Sequence, residues 1–338
     1  MAATERSRLD KFVWVIQRAI PWVSLAVGIL GAILMDRGPS RGAIVAIVAL
    51  VSWAVLMIVL WLERLHEHGG PDGPTKVVRT MRFSVLMLTQ SSIHLQLYFV
   101  LPFYFKAFAG TFAHVVFMGL LCGAAVASLW DPLTEWLLVR TRVGLLFPAF
   151  ATFCVMAAVL PALGLSTGMA VWCGAAAGGL GLPVMVFADR LHGRPLARAL
   201  VTALIVALVF PAALLLGAIR AVPAVPMSLM HAAIGTRRVD YEVVNPTDQL
   251  DKAPRSLVCA TAIFAPVGVR EGLLHVWRHD GEVVDRIPLE IKGGREGGFR
   301  TYSVKHNFGD APQGEWSCAV ETETGQFLGQ RTVIIGSP

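Results

Sequence analysis

Gly42–Leu62 reads GAIVAIVALVSWAVLMIVLWL, a run without a single charged side chain. A helix needs about twenty residues to cross roughly 30 Å of hydrocarbon, and lipid offers its backbone no hydrogen-bond partner, so such a run predicts a spanning helix. Working outward along the chain, the same reading gives Ala19–Met35, Phe83–Phe103, Ala107–Ala127, Val143–Leu163, Thr167–Phe187 and Leu200–Ile219. The expected fold class is therefore a membrane all-α part of about seven transmembrane helices, followed by a water-compatible all-β tail. The expected domains are a transmembrane domain at 1–220, a periplasmic linker at 221–256 and an extracytoplasmic β-domain at 257–338. Pro148, Pro161, Pro183 and Pro211 fall inside the spans, where neighbouring helices absorb the kinks they cause.

Composition agrees with this division. Of 338 residues 55% are hydrophobic and only 15% charged, against about a quarter charged in soluble chains. The net charge of +6 is spread over short loops, which speaks against nucleic-acid binding. Arg6, Arg8, Lys11 and Arg18, then Arg64, Lys76, Arg79 and Arg82, then Arg140, Arg142, Arg190, Arg194 and Arg198 fall in alternate loops and so on one side, while the opposite loops hold only Arg37, Arg41 and Lys106 before the tail. Positive charge marks the cytoplasmic side. The expected location is the inner (cytoplasmic) membrane, with the N-terminus cytoplasmic and everything after Arg220 periplasmic, where cysteines oxidise.

The third span stands out for its polar content. Thr89, Gln90, Ser92, His94 and Gln96 crowd one stretch, with Gln90 and His94 on one helical face and Thr89, Ser92 and Gln96 on another. They form a candidate intramembrane polar site, with His94 able to titrate near neutral pH. The bland alternative is hydrogen bonding to adjacent helices, since no carboxylate lies at the same depth. His114 in the fourth span is placed to face His94 across the hairpin. Gly119–Gly123 and Gly174–Gly178 have the spacing that lets helix backbones approach, within the chain or across a homodimer seam.

Motifs that carry chemistry are scarce. Asp131 and Glu135 read best as part of an interfacial surface helix, and the His66, His68 pair lacks a third ligand. No nucleophile elbow, phosphate loop, dinucleotide fingerprint or zincin motif is present in the sequence. The expectation is no catalytic residue, no metal, no cofactor and no enzyme activity.

The tail breaks into short runs of β-formers at Leu257–Phe264, Leu273–Arg278, Glu282–Ile287, Phe299–Val304, Trp316–Glu321 and Phe327–Ile335, with Asp280-Gly281 as a hairpin turn. Between 221 and 255, Met227–Ile234 is expected as a short surface helix and Val239–Val244 as an early strand. The order Cys259, Trp277, Cys318 resembles an immunoglobulin-like core, although Trp316 stands where a corner tyrosine belongs. That resemblance implies a sandwich and a Cys259–Cys318 disulfide closing a loop of about sixty residues, worth about 4 kcal/mol by chain entropy; two buried thiols are the alternative. His275-Val-Trp277-Arg278, Arg300-Thr-Tyr-Ser303, Gly314-Glu-Trp316 and Gly325-Gln-Phe-Leu-Gly329 resemble C-terminal domains of unknown function on bacterial multi-pass inner-membrane proteins. The resemblance implies an inner-membrane setting and no particular activity.

His275, Trp277, Arg300, Tyr302 and Lys305 form a candidate recognition face for a periplasmic protein or an envelope glycan, with core packing as the competing role for Trp277. The functional expectation is a non-enzymatic integral inner-membrane protein presenting a periplasmic β-sandwich binding module. The alternative is a small-solute transporter using the polar third helix. Expected partners are membrane lipid and an envelope ligand, with a homodimer through the glycine-rich helices.

Overall fold

The computed structural model describes residues 93–129, 146–188, 218–266, 271–291, 293–294, 297–309 and 311–336, with a few isolated positions before residue 52. The expected spans at 19–35 and 42–62, residues 83–92 of the third and 200–217 of the seventh lie outside the described residues or rest on isolated positions. So do Thr89, Gln90, Ser92, Asp131, Glu135, His66 and His68.

The helical part comprises α1 (residues 93–106), α2 (Phe112–Ser128), α3 (Leu146–Val159) and α4 (Thr167–Ala188). Thr111 caps α2, its Oγ1 accepting from the His114 amide at 3.2 Å. The seven-helix membrane expectation fails on these elements: among the described residues no helix is long and apolar enough to cross a membrane. At 17 and 14 residues, α2 and α3 are roughly 26 and 21 Å long, short of the hydrocarbon thickness. The expected fifth span breaks where α3 passes into a 3₁₀ turn at Leu160–Leu163, with Pro161 in the turn and Gly164 in left-handed conformation ending it. The membrane fold class, the inner-membrane location, the periplasmic-module function and the transporter alternative all required those spans, and all are withdrawn.

Glycine does serve packing here. A Cβ on Gly174 would lie 2.9 Å from the Phe153 carbonyl oxygen, and one on Gly178 would lie 2.6 Å from that of Ala149, so α3 and α4 touch backbone to backbone. At Gly119 and Gly123 a Cβ would meet nothing within 4 Å. Tyr104 reaches from α1 to donate to the Cys154 carbonyl of α3 at 3.0 Å, inside a core that also holds Leu97, Phe117, Leu121 and Val155.

The β-part consists of β1 (Ser228–Gly235), β2 (Arg237–Val239), β3 (Glu242–Val244), β4 (Gln249–Leu250), β5 (Leu257–Phe264), β6 (Leu273–His279), β7 (Glu282–Leu289), β8 (Phe299–Lys305), β9 (Gly314–Thr322) and β10 (Phe327–Ile335). The residues expected as a surface helix at Met227–Ile234 are strand β1 instead, because they pair with β5 from Ser228 to Gly235. β1-β5-β8 form one antiparallel sheet, β4-β10-β9-β6-β7 a second, and β2-β3 a separate hairpin. Cys259 on β5 and Cys318 on β9 join the two sheets by a disulfide with Cα atoms 6.4 Å apart, against the fully buried Trp277. β5 is buried along its whole length, which explains its continuous apolar sequence LVCATAIF.

Helical and β parts are in contact. The Thr167 amide at the start of α4 donates to Glu271 Oε2 at 2.5 Å, and Gln326 Nε2 donates to the Val222 carbonyl at 3.1 Å. Lys106 Nζ sits 4.2 Å from the centroid of the Phe264 ring.

Two consequences are measurable. Replacing both Cys259 and Cys318 by alanine lowers unfolding stability by about 4 kcal/mol in a urea titration, the loop-closure value for a separation of 59 residues. Gly178→Leu forces α3 and α4 apart and costs about 1–3 kcal/mol, read as a lower denaturation midpoint.

Candidate functional site

The outer face of the three-stranded sheet is built from two cross-strand rows. His231, Ala262 and Arg300 are register partners across β1, β5 and β8, and Ala233, Ala260 and Tyr302 form the row beside them. Opposed residues of an antiparallel ladder point to the same side, so alanines floor the middle strand while His231, Arg300 and Tyr302 stand at the margins. A trough results.

The β2-β3 hairpin closes that trough on one side. Asp240 turns the hairpin with φ +53, a conformation aspartate tolerates better than most residues. Gly235 lets it lie down, since a Cβ there would be 2.5 Å from Val243 Cγ1. Arg238 places its guanidinium carbon 3.9 Å from the Tyr302 ring centroid, Tyr241 packs against the same ring at 5.9 Å, and Arg300 pairs with Glu242. These exposed contacts are individually worth no more than about 1 kcal/mol, and their role is to fix the hairpin against β8. Between hairpin and sheet lies a cleft of about 390 Å³, bordered by Met230, His231, Tyr241, Glu242 and Arg300 above Ala260 and Ala262. Tyr241 remains 54% exposed, so much of its surface is free to meet a ligand.

The inner face of the same strands carries a second polar group. Ser303 is the register partner of Cys259, and Trp277 is the register partner of Cys318. Trp277 Nε1 donates to Ser303 Oγ at 3.0 Å, so a hydrogen bond runs beside the disulfide from one sheet to the other. His275, fully buried, lies between Ser303 Oγ at 2.8 Å from Nδ1 and Thr261 Oγ1 at 2.9 Å from Nε2. Burial pushes its pKa down to about 4, so the ring is neutral at pH 7, one nitrogen donating and the other accepting.

The five residues expected to share a recognition face are thus divided by strand alternation. Arg300 and Tyr302 point outward, Arg300 lining the cleft and Tyr302 carrying Arg238 and Tyr241 on its ring. His275 and Trp277 point into the sandwich, and Lys305, also buried, pairs with Asp285 at 3.2 Å. The cleft's other members, His231, Tyr241 and Glu242, come from the segment read as linker. Tyr241 and Glu242 fall in Val239–Val244, whose alternation reads as one strand and is the β2-β3 hairpin instead, and His231 falls in the stretch expected as a helix. Thr261 and Ser303 were also missed, and the signal was available: each is a hydroxyl on the inward face of a disulfide-bearing or adjoining strand.

Of the polar third-helix group, His94 and Gln96 are described and buried. His94 Nε2 contacts the Ser128 carbonyl at the C-terminal end of α2, and both side-chain amide atoms of Gln96 lack a partner among the described residues. His114 lies at the opposite end of α2, fourteen residues or about 21 Å from Ser128, with Nδ1 accepting from the Ala109 amide at 3.2 Å. The two histidines do not face each other, because α1 and α2 form an antiparallel hairpin and each histidine sits near a different end.

The His275 environment predicts acid sensitivity. Its folded pKa is below its unfolded value of about 6.5, so the folded state binds fewer protons between the two, and stability is present above pH 6.5 and lost as pH falls toward 4. A shift of this size corresponds to about 3 kcal/mol. Unfolding free energies from urea titrations fall by about that amount between pH 7 and pH 4 in the wild type, and His275→Gln removes most of the slope.

No curated protein and no solved structure matches the chain. Residues 270–333, most of the sandwich, match the model of a protein family of unknown function, DUF2914. Residues 3–265 match the model of a family of unknown function, DUF5924, which extends from the helical part through β1 to β5. With more than half of its length matched, the chain belongs to the DUF5924 family and carries a DUF2914 region after it.

Proposed function

We propose that the β-sandwich is a recognition module, and that its ligand is a glycan bound in the cleft between the β2-β3 hairpin and the outer sheet face. The observation that carries this reading is the pairing of an exposed aromatic ring, Tyr241, with a shallow alanine floor and a rim of Arg300, Glu242 and His231. A sugar ring offers the matching surfaces: an apolar C–H face to lie on Tyr241 and the alanines, and an equatorial edge of hydroxyls. Arg300 donates to those hydroxyls, Glu242 accepts from them, and His231 presents its ring nitrogens at the same rim. The cleft's volume is within the range of ordinary small-ligand sites.

Arg300 and Glu242 are already paired with each other, which holds both side chains near the rim before ligand arrives. Such preorganisation reduces the ordering cost of binding. His275, Trp277 and Lys305 take no part in contacting the ligand in this reading; they fix the strands on which Arg300 and Tyr302 stand.

The full chain is screened against a glycan array and any hit is quantified by calorimetry. Tyr241→Ala and Arg300→Ala each weaken binding by about tenfold or more, the size of one lost stacking or charge-assisted contact. Glu290→Ala, outside the cleft, leaves it unchanged. An array without hits, or a glycan whose affinity ignores Tyr241 and Arg300, overturns the reading.

A further inference from the structure

Inside the sandwich, Cys259 Sγ, Cys318 Sγ and a ring nitrogen of His275 all lie within 4.8 Å of one another, and all three residues are 0% exposed. We propose that the reduced protein uses these three groups to hold one thiophilic divalent cation of the zinc class, so that disulfide and metal are alternative ties between the same two sheets.

The chemistry of the donors supports this. Two thiolates and a neutral imidazole bound to a doubly charged cation sum to zero charge, and only a neutral assembly is tolerated in a dry core. Soft sulfur with imidazole is a ligand set that zinc takes in preference to hard cations. The two ring nitrogens of His275 contact Thr261 and Ser303, so turning one to the cation leaves the other held by a hydroxyl, the usual outer support of a ligating histidine. Ser303 is itself fixed by Trp277 Nε1.

The step from one state to the other balances. A dithiol reductant gives two electrons and two protons to the Cys259–Cys318 bond, the Sγ–Sγ bond breaks, and the reductant closes its own disulfide. The cation then displaces the two thiol protons into solvent, and Sγ–metal bonds of about 2.3 Å replace the sulfur–sulfur bond. Both arrangements span the gap between β5 and β9, which requires little backbone movement.

The test uses the full chain reduced with a water-soluble phosphine, which offers no thiol of its own, and titrated with Co²⁺ as a spectroscopic stand-in for zinc. Sulfur-to-cobalt charge-transfer absorption saturating at one equivalent, a raised denaturation midpoint and X-ray absorption at the zinc edge with two sulfurs and a nitrogen are expected. The oxidised protein shows none of these. His275→Ala is first checked in its disulfide form for wild-type near-ultraviolet dichroism; once reduced, it takes up cobalt about 100-fold more weakly or worse, beyond the scale of a lost supporting contact. Should that variant not fold, the zinc-edge spectrum of the wild type decides alone. No saturating absorption, a sulfur-only or oxygen-only shell, or equal uptake by His275→Ala overturns the proposal.

Discussion

The β-domain depends on one junction, where Cys259 is bonded to Cys318 and, beside it, their register partners Ser303 and Trp277 are joined by a hydrogen bond. Covalent and polar ties thus cross the gap between the two sheets at neighbouring rungs. His275 extends the polar tie by one rung through Ser303 and Thr261. Buried hydroxyls and an imidazole are costly alone, and each is tolerated because every member finds a partner in the opposite sheet. The apolar residues around them, Ile234, Leu257, Trp316, Val333 and Ile335, exclude water from the junction.

Fixing the inner face has a consequence for the outer one. With Cys259, Thr261 and Ser303 committed to the interior, strand alternation sends Ala260, Ala262, Arg300 and Tyr302 outward. Small residues in the central strand leave space above it, and the β2-β3 hairpin bounds that space. Its position follows from Gly235, Asp240 and the contacts of Arg238 and Glu242 with β8. The cleft is therefore a by-product of register: a slip of one residue along β8 would exchange Arg300 and Tyr302 for Thr301 and Ser303.

The described helices bury part of their apolar surface against one another. Apolar composition reports that residues avoid water, and burial within the protein satisfies that as well as lipid does. Leu97, Phe117, Val155 and Val171 do so against each other. Pro161 and Gly164 end α3 early, and α4 uses Gly174 and Gly178 to approach α3 rather than to present an apolar surface. Among the described residues no helix is both long and apolar enough to cross a membrane.

By itself the sequence determined the local elements from β5 to β10. Period-two alternation, Asp280-Gly281 at a turn and the order Cys259, Trp277, Cys318 are all properties of near neighbours or of residue type. It also offered Arg300 and Tyr302 among five candidates for a recognition face. Only the tertiary structure decided that Arg300 shares a cleft with His231, Tyr241 and Glu242, with Tyr302 on the same face, while His275, Trp277 and Lys305 are buried. Which strands pair, and in which register, is settled by contacts between segments dozens of residues apart, and no pattern local to β1 or β8 encodes that His231, Ala262 and Arg300 fall in one row.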